Sequence, residues 1–309
     1  MMMAKALLVH NDIDRDKFMT VEYKDIIRSF LDRIGVPYYY SFQSMCATAL
    51  RYGKIPGEFI GPASASCILR DLAKYHRKGN SKNMLDIHVC HDRTIVIEEV
   101  NELKRNVSLS NIKHEDSSQF DPLVHKPPET RSQVWNDGLL LIINMRLGVD
   151  SINPEYFDAF CDDLRSENCV GALGGHPSRA LYFVGTFLDS SGSKVIALDP
   201  HVTHPSLTDD DRSEDFPSSE FQNLIHSNTF LGANLQDLDA TVSFGFYFKD
   251  AEAFRSWIDD KKTKSSLVLV VENSAGSEFY CNEVDSADIN LEKHNDGSDV
   301  GDDDGFILV

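Results

Sequence analysis

Lys194-Val-Ile-Ala-Leu-Asp-Pro-His201 is the stretch on which the reading of this chain turns. Lys194–Leu198 has the β-branched and apolar character of a short strand, and the strand delivers an Asp and a His onto the loop at its end. Pro200 biases the residue before it away from helical and toward extended geometry, and in an extended chain residues two apart point to the same side. Asp199 would then lie beside His201, where a carboxylate can fix the tautomer of the imidazole and stabilise the imidazolium. That is what the base of a nucleophile–His–acid triad requires. A turn that merely happens to contain an Asp and a His reads the same way, because motifs this short are common by chance.

Outward from this loop the sequence changes character. Downstream and just upstream lie further strands: Gly138–Asn144, a continuous apolar run, then Cys169–Leu173, Ala180–Phe187, Thr241–Phe248 and Ser266–Val271. The first hundred residues are mostly helical in pattern. Met1–Val9 reads as the second half of a buried helix, residues 21–34 place Ile26, Ile27, Phe30, Leu31 and Ile34 at helical spacing, and a further helix is expected around Gln43–Leu50. Pro62 suits the first turn of the next helix, where its missing amide donor costs nothing, with Leu69 and Leu72 toward the core. Leu85–Cys90 reads as a strand, 91–93 as a turn and Ile95–Leu103 as a helix. Asn153-Pro154 caps Glu155–Leu164, and Asp250 caps Ala251–Asp260. Helices first and strands later make an α+β pattern. Residues 1–275 are expected to form the folded domain, with a surface insertion at about 107–133 rich in Ser, Pro, Asp and His, and 276–309 an acidic, apolar-poor, disordered tail.

Composition narrows the function. With 41% hydrophobic residues, a chain of 309 residues can bury a sizeable core. Its 30 basic and 49 acidic residues give a formal charge of −19, which repels phosphate backbones and anionic lipid, so no nucleic-acid partner is expected. No apolar run reaches the ~20 residues that span a bilayer, so no stable membrane insertion is expected either. The six cysteines, Cys46, Cys67, Cys90, Cys161, Cys169 and Cys281, show no CxxC pair and no metal-like Cys/His spacing. Reduced thiols in the cytoplasm, no metal and no cofactor are the expectations.

Two further segments accompany the Asp-Pro-His loop: Leu141-Ile-Ile-Asn-Met-Arg-Leu-Gly148 and Gly171-Ala-Leu-Gly-Gly-His-Pro-Ser-Arg-Ala-Leu-Tyr-Phe-Val-Gly185. Their order and spacing resemble the autophagins, papain-like cysteine peptidases that process the ubiquitin-like modifiers of autophagy. In that family a strand ending in Arg-Leu-Gly precedes a Gly-Gly-x-Pro turn, an aromatic strand and an Asp-Pro-His loop. The likeness runs from Met1 to about Asp260 and includes Tyr39-Tyr-Ser-Phe42, Gly61-Pro62 and Thr94-Ile-Val-Ile-Glu-Glu99. It implies a papain-like fold, Asp199 and His201 as acid and base, cleavage after the C-terminal glycine of the modifier, and release of the modifier from a lipid amine. The implied partner is therefore the ubiquitin-like modifier in its precursor and lipid-conjugated forms.

The chain also departs from the family pattern. Autophagins carry their nucleophile in Gly-Trp-Gly-Cys, at the start of a helix whose continuation Met1–Leu7 resembles. The motif occurs nowhere in these 309 residues. The chain is thus expected to be the papain-like fold without the part that bears the nucleophile, and inactive by itself. Free cysteines behave as small apolar residues, so none of the six is expected to substitute. Phe59 stands about where the family places a gating Trp. His176 and His204 lie near the inferred site and read as solvated loop histidines. At the C-terminus, Phe306-Ile-Leu-Val309 after three aspartates resembles the aromatic-x-x-aliphatic motif that adds a strand to a modifier's sheet edge, with Phe306 and Val309 entering two pockets. A non-catalytic binding protein for the modifier is the alternative reading.

Overall fold

The computed structural model describes residues 1–13, 20–78, 84–105, 135, 137–190, 192–202, 210, 212–213, 215–226, 229–264 and 266–273. The readings made above for 107–133, His204, Cys281 and the tail residues Phe306 and Val309 fall outside them.

The central element is β3, Gly138–Ser151, and its apolar run has a physical cause. Successive strand side chains point to opposite faces. Leu139, Leu141 and Ile143 enter one buried cluster, while Leu140 and Ile142 enter another on the opposite face. A strand covered on both sides has no polar alternation to show. Seven strands form the sheet in the order β1-β3-β8-β4-β5-β6-β7, with β1 (Leu85–Cys90), β4 (Cys169–His176), β5 (Arg179–Asp189), β6 (Gly192–Leu198), β7 (Leu231–Asn234) and β8 (Asp239–Phe248). β1 pairs with β3 in parallel; the other pairings are antiparallel. A separate two-stranded parallel sheet joins β2 (Thr94–Val96) to β9 (Leu269–Val271).

The helices of the first 78 residues cover one face. α1 (Met2–His10), α2 (Val21–Ser29), α3 (Phe42–Ala49) and α4 (Pro62–Lys78) contribute Ala6, Leu7, Ile26, Ala49, Ile68 and Leu72 to a core shared with Leu140, Ile142 and Tyr247. α1 approaches β8 closely: the Met2 side chain lies over Gly245, where a Cβ would stand 2.6 Å from its sulfur and make that side chain shift. The other face is covered by α5 (97–105), α6 (Phe157–Arg165) and α8 (Ala251–Thr263), whose Phe160, Phe254 and Trp257 pack on Phe244, Phe246 and Phe248. A short helix α7, Ser219–Ile225, completes the set. Helices and a mixed sheet in these layers are an α+β arrangement of the papain-like kind.

Several boundaries differ from the sequence reading. The helix expected over 21–34 stops at Ser29. Phe30 and Leu31 turn their amides back to Ile27 and Arg28, the Tyr40 amide donates to the Ser29 carbonyl, and Gly35 takes a left-handed φ of 91°. Ile34 is consequently 85% exposed rather than in the core, whereas Tyr39 and Tyr40 are buried. The helix expected from Ile95 begins two residues later, because Ile95 and Val96 belong to β2. Asn153 does cap a helical start, accepting from the Glu155 amide, but the first turn is a 3-10 turn and α6 proper begins at Phe157. Asp250 accepts from the Ala253 amide and caps α8 as expected. Leu69 is only partly buried, while Leu72 is fully so.

Candidate active site

β6 ends at Leu198, and its last side chains are locked by pairing with β5: Leu198 lies opposite Tyr182 and Ala197 opposite Phe183. Asp199 leaves the strand, and Pro200 and His201 turn. The acid and the imidazole, two residues apart, meet across this turn. Asp199 Oδ1 accepts from the backbone amide of His201 at 2.9 Å and from its Nδ1 at 2.8 Å. In an Asx-type turn of this kind the side-chain oxygen accepts from the amide two residues on, which brings that residue's side chain beside the carboxylate. With Nδ1 donating to a carboxylate, the neutral ring presents Nε2 as its acceptor.

The second oxygen of Asp199 has its own partner. Arg179, at the start of β5, donates from its guanidinium to Oδ2. The Arg179 guanidinium first, then the two His201 donors, hold the Asp199 carboxyl well below the usual carboxylate range, against a smaller opposing effect of burial. Exposure divides the roles: the Asp199 side chain is 9% exposed and the imidazole 51%, so the acid is shielded while the ring faces outward. Sequence reading missed Arg179, although it lies within the Gly171–Gly185 segment. Twenty residues separate it from Asp199, and only the antiparallel register of β5 and β6 brings the two together.

The Gly-Gly pair of that segment is not itself the turn. Gly174 and Gly175 continue β4, and the reversal falls at Pro177-Ser178, with Ser178 at φ 65°. Gly175 has φ 146°, and a Cβ there would stand 2.0 Å from the Arg179 carbonyl oxygen, so glycine is required for β4 and β5 to close the hairpin. His176, the last residue of β4, is tied to the segment before β8, its Nδ1 2.7 Å from the Asp237 carbonyl.

A cavity of about 210 Å³ adjoins the loop. Met1 and Met2 at the start of α1, Leu69 and Ser66 of α4, Tyr182 of β5 and Pro200 line it. The beginning of α1 and Pro200 of the Asp-Pro-His turn therefore line one hollow. Beside it Asn144 Oδ1 lies 3.1 Å from Ser66 Oγ and also contacts Ser243 Oγ. Ser66 has one hydroxyl proton, and the Pro62 carbonyl at 2.8 Å takes it. Turning the Asn144 amide so that its NH2 faces the two hydroxyls resolves the conflict, since a serine oxygen accepts as readily as it donates.

None of the cysteines among the described residues enters this site. Burial raises the thiols of Cys90 and Cys161, and raises that of Cys169 to about 12, which disfavours the thiolate. Cys67 is buried within α4, and Cys46 is partly buried on α3. Phe59 is 69% exposed and is not among the residues lining the cavity. Among the described residues no cluster of His, Cys, Asp and Glu could hold a metal ion, and no helix is long and apolar enough to cross a membrane.

Comparison with known proteins places this geometry. The profile of the peptidase C54 catalytic domain matches residues 1–260. Among curated proteins, cysteine protease ATG4A of Bos taurus is 33% identical over 269 residues, covering 83% of this chain and 63% of the relative. Cysteine protease ATG4A of Homo sapiens is 31% identical over 280 residues with the same coverage, and cysteine protease ATG4B of Gallus gallus is 28% identical over 260 residues, covering 82% and 62%. The chain thus spans less than two thirds of the length of these relatives. A family match over residues 1–260 and a relative 33% identical lead to one conclusion: the chain belongs to the autophagin family of cysteine peptidases, peptidase C54.

Proposed function

We propose that this domain is the acid–base half of a cysteine endopeptidase that cleaves after the C-terminal glycine of ubiquitin-like autophagy modifiers and releases them from lipid amines. The observation that carries the reading is the Asp199–His201 pair with its outward imidazole, flanking Pro200, which lines the same cavity as the start of α1. In the family pattern the nucleophilic cysteine lies on the N-terminal side of the helix that α1 resembles. Unpaired amides and the helix dipole at such an end favour a thiolate. The thiolate adds to the carbonyl carbon of the glycine itself. His201 Nε2–H, carrying the thiol's proton, gives it to the leaving amine as the C–N bond breaks. Water, deprotonated by the same nitrogen, then cleaves the thioester, while Asp199 orients the ring throughout. Phe59 is assigned as an apolar gate over the glycine-ended tail, and Phe306 and Val309 as a second contact to the modifier.

The test uses the full-length natural protein and a modifier extended beyond its terminal glycine. His201→Ala is expected to lower kcat/KM by about 10³-fold or more, and Asp199→Asn by a comparable factor, with the thermal midpoint nearly unchanged. The residues 1–309 alone are expected to bind the modifier without cleaving it. Full activity in His201→Ala would end the assignment.

A further inference from the structure

We propose that Arg179 is a positioning residue for the acid–base pair, clamping the Asp199 carboxylate in the one rotation that directs Oδ1 at His201. This rests on reading Asp199 and His201 as the acid and base. A carboxylate has two equivalent oxygens and a soft terminal torsion, so one partner alone does not fix its plane. Here every partner is distributed. Oδ1 takes both donors of His201, the backbone amide and Nδ1, and Oδ2 takes the guanidinium of Arg179. Charge-assisted bonds of this kind are short and directional. The clamp comes from a different element than the pair it serves: Arg179 begins β5, directly after the β4–β5 reversal, and the Gly175 backbone leaves room for its carbonyl.

The clamp also moderates charge. A permanent cation beside Asp199 offsets part of its field, so the imidazole is oriented by a carboxylate whose pull is already shared. Arg179 is 54% exposed and lies in a hairpin already held by backbone pairing, so its removal is expected to leave the fold intact.

The experiment reads the pair directly, without substrate, in residues 1–309. Nitrogen-15 NMR of the His201 ring reports which nitrogen carries the proton, and carbon-13 NMR of the Asp199 carboxyl reports its titration. In Arg179→Gln and Arg179→Ala, the Asp199 titration is expected to rise by about one unit or more, and the Nδ1–H form of His201 to lose its dominance. Arg179→Lys, which keeps a cationic donor, is expected to recover both. A residue that only held the hairpin together would change the thermal midpoint and leave both signals alone. Wild-type titration and wild-type tautomer in Gln and Ala variants that keep their amide spectrum would overturn the proposal. In the full-length protein the same variants are expected to lower kcat by about 10- to 100-fold with KM within about twofold. A full-length protein that cleaves no modifier, with the NMR response present, would refute the peptidase reading and leave the clamp standing.

Discussion

His76 on α4 is enclosed by two tyrosines. Tyr39 stacks on its ring with centroids 4.1 Å apart, the Tyr40 hydroxyl lies 3.0 Å from Nδ1, and the residue is only 4% exposed. Burial first, then the neighbouring Arg77, pushes its pKa down from the ordinary 6.5 to about 4. Burial likewise raises the Tyr40 phenol, so Tyr40 is the donor and the neutral imidazole the acceptor. Below pH 6.5 the unfolded chain takes up a proton that the folded chain refuses until about pH 4. The stabilisation is therefore complete above pH 6.5 and is lost as the pH falls toward 4, by about 3 kcal/mol at the lower end. Chemical denaturation at pH 7, 5.5 and 4.5 measures it. His76→Gln is expected to remove this part of the slope, and parallel pH dependences in the two proteins would contradict the account.

At the scale of elements, one charged cluster joins α4, β1, α5 and the strand entry at Asp137. Asp86 of β1, 4% exposed, meets both Arg77 from the end of α4 and Lys104 of α5. Arg77 also reaches Asp137 at 2.7 Å, and the Lys104 ammonium stands 4.9 Å from the Trp135 ring centre. Taking charges out of water is costly, and the cluster repays that only while each charge has its partners. Lys104→Met is expected to cost about 3 kcal/mol in urea unfolding, because Asp86 is left buried with one partner. Combining it with Asp86→Asn should cost less than the two changes added together. Simple additivity would mean that the pair does not act as a unit. Little of this cluster was legible beforehand: Arg77, Asp86, Lys104 and Asp137 are scattered over 60 residues, and charges look solvent-facing until a fold encloses them. Local signals did serve where local physics dominates, as in the Asp250 cap, Pro62 at the first helical turn and β1 to the residue.

For the whole molecule, the compact unit runs from Met1 to Ala275. Its two apolar layers sit on either face of β3, and among the described residues neither draws on one beyond Val270. Truncation after Ala275 is therefore expected to leave unfolding free energy within about 0.5 kcal/mol of the full chain. The same truncation is expected to weaken binding of the modifier if Phe306 and Val309 dock it as proposed. Calorimetry of both forms, with and without the modifier, reads the two effects separately; a loss of stability on truncation would place part of the core in the tail.

Residue order alone determined the elements whose stability is local, and three ordered motifs sufficed to mark the family and to single out Asp199 and His201. It could not determine what distant strands do to one another. β7, Leu-Gly-Ala-Asn, carries no strand preference of its own and exists because β6 offers it a ladder. β2 and β9 pair across more than 170 residues. The turn at Pro200, the hollow shared with α1 and the grip of Arg179 on Asp199 all depend on register, which is set when side chains two apart are sorted onto buried faces. Tertiary structure decided these because long-range pairing and burial, unlike capping and periodicity, leave no mark in neighbouring residues.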